Sequence, residues 1–295
     1  MKGFQSRLRS TLWATAWTPW ILLTAVHATE GGAPKYGPHA KPLSARTHIA
    51  YFQKETAPDF WRLIPYYLPQ ETQTGCSAAN ITMILNAARS KKASLKSDWK
   101  SDEKLLTFQS FAKDYAGDSK YSRAILGKFF IPGKQFANSN LARVLENASK
   151  KLGLHTDGAS VIFHEIDPSH LADGKKRFLE ALQENEKTDQ DFIFFSYIQG
   201  KVTGDPEGGA HVATIAAYDQ KTQSVLIMDS DREWYEPYWT SVDILFEAIS
   251  SPASDSEKRV GWIRYQLGHS APPSQSSRTS HSGRHNISYQ TFPVS

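Results

Sequence analysis

Apolar positions along this chain fall into three textures. Thr11 to Val26 (TLWATAWTPWILLTAV) is a mostly apolar run without charge. From Cys76 to Glu186 the apolar residues recur at helical spacing. The stretch Cys76 to Ala88 carries Ala79, Ile81, Ile84, Leu85 and Ala88 around most of its circumference, which predicts a central buried helix. Asp102–Tyr115 is expected to be helical, with Leu105, Leu106, Phe108, Phe111 and Tyr115. Asn140–Leu152 fits better, with Leu141, Val144, Leu145 and Ala148 in phase and Asn138 or Asn140 as the cap. Asp173–Glu186 is a further helix, with Asp173 as cap and Phe178, Leu179 and Leu182 on one face. Beyond it the apolar residues cluster in short runs. Asp191–Gly200, His211–Ala217 and Ser224–Asp229 read as strands, the last two joined as a hairpin. A polar loop spans Gly200–Gly209, Val242–Ile249 reads as helix and Val260–Tyr265 as a final strand. Helices first and antiparallel strands second is an α+β pattern.

The two ends have a different character. Lys2, Arg7 and Arg9 precede the apolar run, and Val26-His27-Ala28 offers a small-residue cleavage site, so residues 1–28 read as a secretory signal. An uncleaved anchor is the alternative, although a spanning helix needs about 20 apolar residues. Residues 29–44 form an extended lead-in, 45–268 the folded domain, and 269–295 a Ser/Pro-rich flexible tail. Lys91–Lys104 is a lysine-rich surface stretch.

Charge narrows the partners. The net charge of +4 falls to +1 once the three basic leader residues are removed, which gives no case for nucleic acid or an anionic membrane. Eight Trp, 12 Tyr and 15 Phe among 295 residues supply a substantial core. The chain has 1 cysteine, so no intramolecular disulfide staples the fold.

That cysteine, Cys76, follows Gly75 and opens the apolar helix. A helix start directs free N–H groups and partial positive charge at the sulfur, favouring the anion that attacks carbonyls. A lone cysteine elsewhere would more often be an apolar filler. A thiol nucleophile needs a base, and the base an orienting acceptor. His211 opens one strand of the expected hairpin and Asp229 closes the other, so both belong at the same end of the sheet. Singly, His211 reads equally well as a strand-end residue and Asp229 as a turn acid. An oxyanion hole is also required. The Cys76 N–H is one donor; Gln70, six residues upstream, offers a side-chain amide, with Gln73 as competitor.

Several blocks in order carry a family resemblance: Phe60-Trp61-Arg62-Leu63-Ile64, Gln70 with Cys76, Leu85-Asn86-Ala87, His211, Val225 to Arg232, and Tyr235-Glu236-Pro237-Tyr238-Trp239. From Ala45 to Tyr265 the chain resembles the phytochelatin synthases, glutathione γ-glutamylcysteinyltransferases of the papain-like cysteine peptidase clan. The resemblance implies a papain-like α+β fold, in which a helical part carrying the nucleophile packs on an antiparallel sheet carrying His and Asp. It implies Cys76, His211 and Asp229 as the catalytic triad and Gln70 as the oxyanion donor. Arg232 matches a substrate-binding position, where a guanidinium suits a carboxylate; a surface salt bridge is the alternative. Ser77 departs from the family's usual glycine, and Val-Ala-Thr after His211 from its bulkier, proline-containing sequence. Where plant and fungal members carry a cysteine-rich second domain, only the tail follows here, as in the short bacterial form.

The implied substrate is glutathione. Cys76 would release glycine and pass the γ-glutamylcysteinyl group to water or to a second glutathione, with hydrolysis dominant. No bound cofactor and no built-in metal site are expected; Cd or Zn would enter as thiolate complexes of the substrate. The expected location is the bacterial periplasm, and a homodimer is a candidate assembly. Two rivals are an exported papain-like peptidase acting on another peptide or a glutathione conjugate, and a non-catalytic thiol- or metal-binding protein.

Overall fold

A computed structural model describes residues 36–45, 50–95, 104–117, 119–126, 138–206, 208–252 and 259–268. The expected signal, most of the lead-in, residues 96–103 of the lysine-rich stretch and the tail lie outside the described residues.

Among the described residues, the fold is organised by a seven-stranded sheet. Its strands are β1 (Ala40–Pro42), β2 (Ser160–Glu165), β3 (Asp191–Ile198), β4 (Ala210–Asp219), β5 (Ser224–Asp229), β6 (Tyr238–Ser241) and β7 (Gly261–Gln266). They lie in the order β1-β6-β5-β4-β3-β7-β2, and every pairing is antiparallel. The architecture is the α+β expected. β3 and β4 are buried along nearly their whole length, because both faces are covered.

Two apolar clusters lie on the two faces. Phe192, Phe194, Val212, Met228 and Ile263 pack with the helix Cys76–Leu95 and with Asn138–Lys151. Ile193, Phe195, Tyr197, Ala213, Ile215, Val225 and Ile227 pack with the helices Leu171–Asn185 and Val242–Ile249. The period-2 alternation of strand side chains divides the residues this way. Each large side chain so buried contributes about 1.5–3 kcal/mol relative to exposure.

Several expectations need correction. The helix expected over Asp102–Tyr115 begins only at Phe108 and ends in a π turn, Phe111–Tyr115. The buried Asn86 side chain donates to the Leu106 carbonyl and accepts from the Leu106 N–H, each at 2.9 Å, which holds that segment extended. Thr107 then caps the turn through the Ser110 N–H. Asp173 lies in the first turn of its helix and does not cap it; Asp167 caps the preceding 3₁₀ turn, Pro168–His170. Asn138, offered as a cap, accepts instead from the Ser196 N–H of β3 at 3.2 Å. β2, β6 and the helices Pro58–Leu63 and Ser119–Ile125 were not expected. The polar loop after β3 contains a short helix, Gln199–Thr203.

Candidate active site

Cys76 is the first residue of a 20-residue helix and is buried, 7% exposed. The turn before it is pinned by side chains. Thr72 and Thr74 donate to the carbonyls of Ile125 and Ala124, each at 2.6 Å. Gly75 is required by close approach: a Cβ there would stand 2.8 Å from the Phe108 ring. Ser77, next to the thiol, hydrogen-bonds the buried Tyr121 hydroxyl at 2.9 Å. That contact occupies the position where the family resemblance anticipated glycine.

The hairpin forms as expected. Ala213 of β4 pairs with Asp229 of β5, so His211, two residues earlier, is a diagonal neighbour of Asp229 on the same face. His211 Nε2 lies 2.7 Å from Asp229 Oδ1. The Cys76 side chain acts on the same imidazole, and Nδ1 is the ring nitrogen left to face it. The three residues taken from different elements therefore meet in one line. Burial opposes a charged His211. The charges of Asp229 and Cys76 outweigh it and raise the imidazole well above its ordinary value.

Asp229 is fully buried and richly solvated by the protein. Oδ1 also accepts from the Asp231 N–H at 2.9 Å; Oδ2 accepts from Gln199 Nε2 at 2.9 Å and faces the Tyr197 and Tyr238 hydroxyls at 3.1 Å. The two phenols stand 2.7 Å apart, so two protons serve three contacts. Burial alone would raise the carboxyl, but His211 and these donors hold it down at about 2. Burial and the Asp229 charge push both phenols well up, keeping them as neutral donors.

Gln70 is docked on the residue after the acid. Its N–H donates to the Ser230 carbonyl at 2.8 Å, and its Oε1 lies 3.4 Å from the Ser230 hydroxyl. Gln73, the competitor, is exposed and makes no side-chain hydrogen bond among the described residues. Arg232 is exposed, with its guanidinium 4.5 Å from the Tyr67 ring centre. It makes no ion pair among the described residues. Tyr67 in turn donates to the Asp229 carbonyl, which places Arg232 one side chain away from the acid.

Sequence reasoning missed the side chains that hold this line together. Tyr197 and Gln199 carried no signal. Tyr238 was visible only inside a matching block. Asn80 offered one: a polar residue one turn after Cys76 in an otherwise apolar helix. Its Nδ2 donates to the Cys76 and Val212 carbonyls, each at 2.9 Å, stitching the nucleophile's helix to β4.

Among the described residues, no group of three or more His, Cys, Asp or Glu is placed to hold a metal ion. No helix among them is long and apolar enough to cross a membrane.

Glutathione gamma-glutamylcysteinyltransferase 1 of Arabidopsis thaliana is 24% identical over 220 residues, covering 75% of this chain and 39% of that protein. The chain thus matches about two fifths of its relative's length. The phytochelatin synthase family model matches residues 44–262, which include Gln70, Cys76, His211, Asp229 and Arg232. The chain belongs to the phytochelatin synthase family.

Proposed function

We propose that this chain is a cysteine-dependent γ-glutamylcysteinyl transferase acting on glutathione. The observation that carries the reading is the buried contact line from Cys76 through His211 to Asp229, with Gln70 docked beside it. Family membership supports glutathione as the donor.

The reaction follows from the groups present. Cys76 sulfur attacks the carbonyl carbon of the Cys–Gly bond, and its proton resides on His211. The carbonyl oxygen takes up negative charge beside the Cys76 N–H and the Gln70 amide. The C–N bond then breaks, His211 gives its proton to the departing glycine nitrogen, and a γ-glutamylcysteinyl thioester stays on Cys76. Asp229 holds the imidazole's tautomer and balances its charge without itself taking the proton. In the second half, His211 draws a proton from the acceptor. Water yields γ-Glu-Cys; the amino group of a second glutathione yields (γ-Glu-Cys)₂-Gly. Arg232, exposed beside Tyr67, is suited to a substrate carboxylate. Cd or Zn belongs to this scheme as thiolate complexes of glutathione, that is, as part of the substrate. The basic and apolar leader, residues 1–28, supports delivery of the activity to the periplasm.

The test mixes the purified protein with glutathione, with and without Cd²⁺, and follows products by mass spectrometry, with Cys76→Ser as control. Free glycine and γ-Glu-Cys, absent in the control, are expected, and (γ-Glu-Cys)₂-Gly reports transfer. No glycine under either condition overturns glutathione as the donor and leaves a peptidase of other specificity.

A further inference from the structure

We propose that Asn80 and Ser230 form an amide–hydroxyl relay that sets which end of the Gln70 side chain faces the nucleophile. The inference rests on the acyl-transfer reading above and assigns positioning residues to it.

Asn80 is 1% exposed, and its orientation is decided by groups with only one role. Its Nδ2 faces two backbone carbonyls, those of Cys76 and Val212, each at 2.9 Å, and carbonyls only accept. On the other side, the Thr214 hydroxyl donates to Oδ1 at 2.7 Å. A flipped amide would set oxygen against oxygen at both carbonyls. The nitrogen end therefore also faces Ser230 Oγ, at 3.3 Å, where it can only donate. Two N–H groups serve three acceptors, and the Ser230 contact is the longest.

Ser230 is 2% exposed, out of reach of bulk water. Its oxygen receives from Asn80, so its own hydrogen must go elsewhere. The remaining partner is Gln70 Oε1 at 3.4 Å. Were Gln70 flipped, its amino group would meet a buried hydroxyl whose hydrogen had no acceptor, an arrangement folded proteins avoid. The Gln70 N–H, bound to the Ser230 carbonyl at 2.8 Å, holds the backbone in the same place. Gln70 Nε2 has no partner among the described residues, and it is the end left for a developing oxyanion. The 3.4 Å contact is long for O–H···O; catalytic contacts in unliganded sites commonly tighten as charge develops. The relay thus runs from Thr214 on β4, through the nucleophile's helix, to the residue following Asp229, and ends on the oxyanion donor.

The experiment is a double-mutant cycle on the full chain, with kcat and KM for glycine release from glutathione as readouts. Gln70→Ala is expected to lower kcat about 100-fold, as for loss of one oxyanion donor, and Ser230→Ala about tenfold with KM within about twofold. Ser230→Thr, which keeps the hydroxyl, restores most of that loss. The double variant falls no further than Gln70→Ala alone, because the hydroxyl acts only through the amide. The rate of Cys76 alkylation by iodoacetamide across pH stays at the wild-type value in Ser230→Ala, since the Cys–His–Asp line is untouched. Independent, multiplying losses in the double variant overturn the relay while leaving the enzyme reading intact. So does an altered alkylation profile, which marks a general structural role. Absence of glycine release in the wild type overturns both.

Discussion

Two carboxylates in this protein are buried alike, Asp229 at 0% exposure and Asp59 at 2%, and their surroundings push them in opposite directions. Asp229 meets five donors: the Asp231 N–H, the His211 ring, the Gln199 amide and two phenols. It is held ionised, at about 2. Asp59, on the helix Pro58–Leu63, has no hydrogen-bond partner on either oxygen among the described residues. Burial, with Asp191 next in weight, pushes it well above the usual carboxylate range; Glu186 and Asp189 add to this. The Asn185 amide opposes this shift, while its Nδ2 donates to the Asp191 carbonyl. Burial by itself thus says nothing about charge. A buried carboxylate is held ionised where the fold supplies donors, and is pushed toward the protonated acid where it does not. At Asp229 the result is an oriented imidazole, whereas Asp59 acts on Arg62, whose charged guanidinium it favours against the cost of burial.

The contrast breaks most sharply under neutralisation. Asp229→Asn should lower glycine release by roughly 10³- to 10⁴-fold, since the amide can present the wrong partner to His211 Nε2 and select the wrong tautomer. Asp59→Asn should leave kcat within about twofold. Steady-state rates for the two isosteric variants check both, and comparable losses in each would falsify the division of roles.

Next in size is the donor shell. Tyr197→Phe or Tyr238→Phe removes one phenol from a buried charge, worth about 1.5–3 kcal/mol per contact. Each should lower the urea midpoint at neutral pH, and the loss should vanish in an Asp229→Asn background. Persistence of the full loss there would assign the phenols to packing instead.

Stability against pH sharpens the comparison further, because the two acids have opposite signs. The Asp229 value lies below its ordinary 3.8, so its contribution is present above that value and fades as pH falls toward about 2. The Asp59 value is raised, so its contribution is complete below 3.8 and is lost as pH rises through the folded value. Asp59→Asn should therefore raise Tm at neutral and alkaline pH, by about 2–4 °C for each kcal/mol relieved, and leave it nearly unchanged at pH 3. Thermal melts at the two pH values read this directly; an equal shift at both would show that ionisation of Asp59 is not the cause.

Legibility in the sequence followed the range of the forces. The Cys76 helix, the β4–β5 hairpin and the helix Val242–Ile249 were readable because apolar period and turn residues are local signals. The helix expected over Asp102–Tyr115 failed where a distant side chain, Asn86, took the Leu106 backbone groups that a helix would have used. β2 and β6 were missed because their pairing with β7 and β5 is supplied by partners far along the chain.

The same division applies to the candidate site. By itself the sequence determined the thiol at a helix start, the histidine and aspartate at one end of a hairpin, and the glutamine six residues before the thiol. These rest on neighbours along the chain and on strand geometry. Only the tertiary structure decided that Gln70, not Gln73, docks beside Asp229, that Arg232 lies over Tyr67, and that Asn80, Tyr197, Gln199 and Tyr238 tie the line together. Those contacts join residues far apart in sequence, and a buried hydrogen bond has no signature until both of its partners are in place.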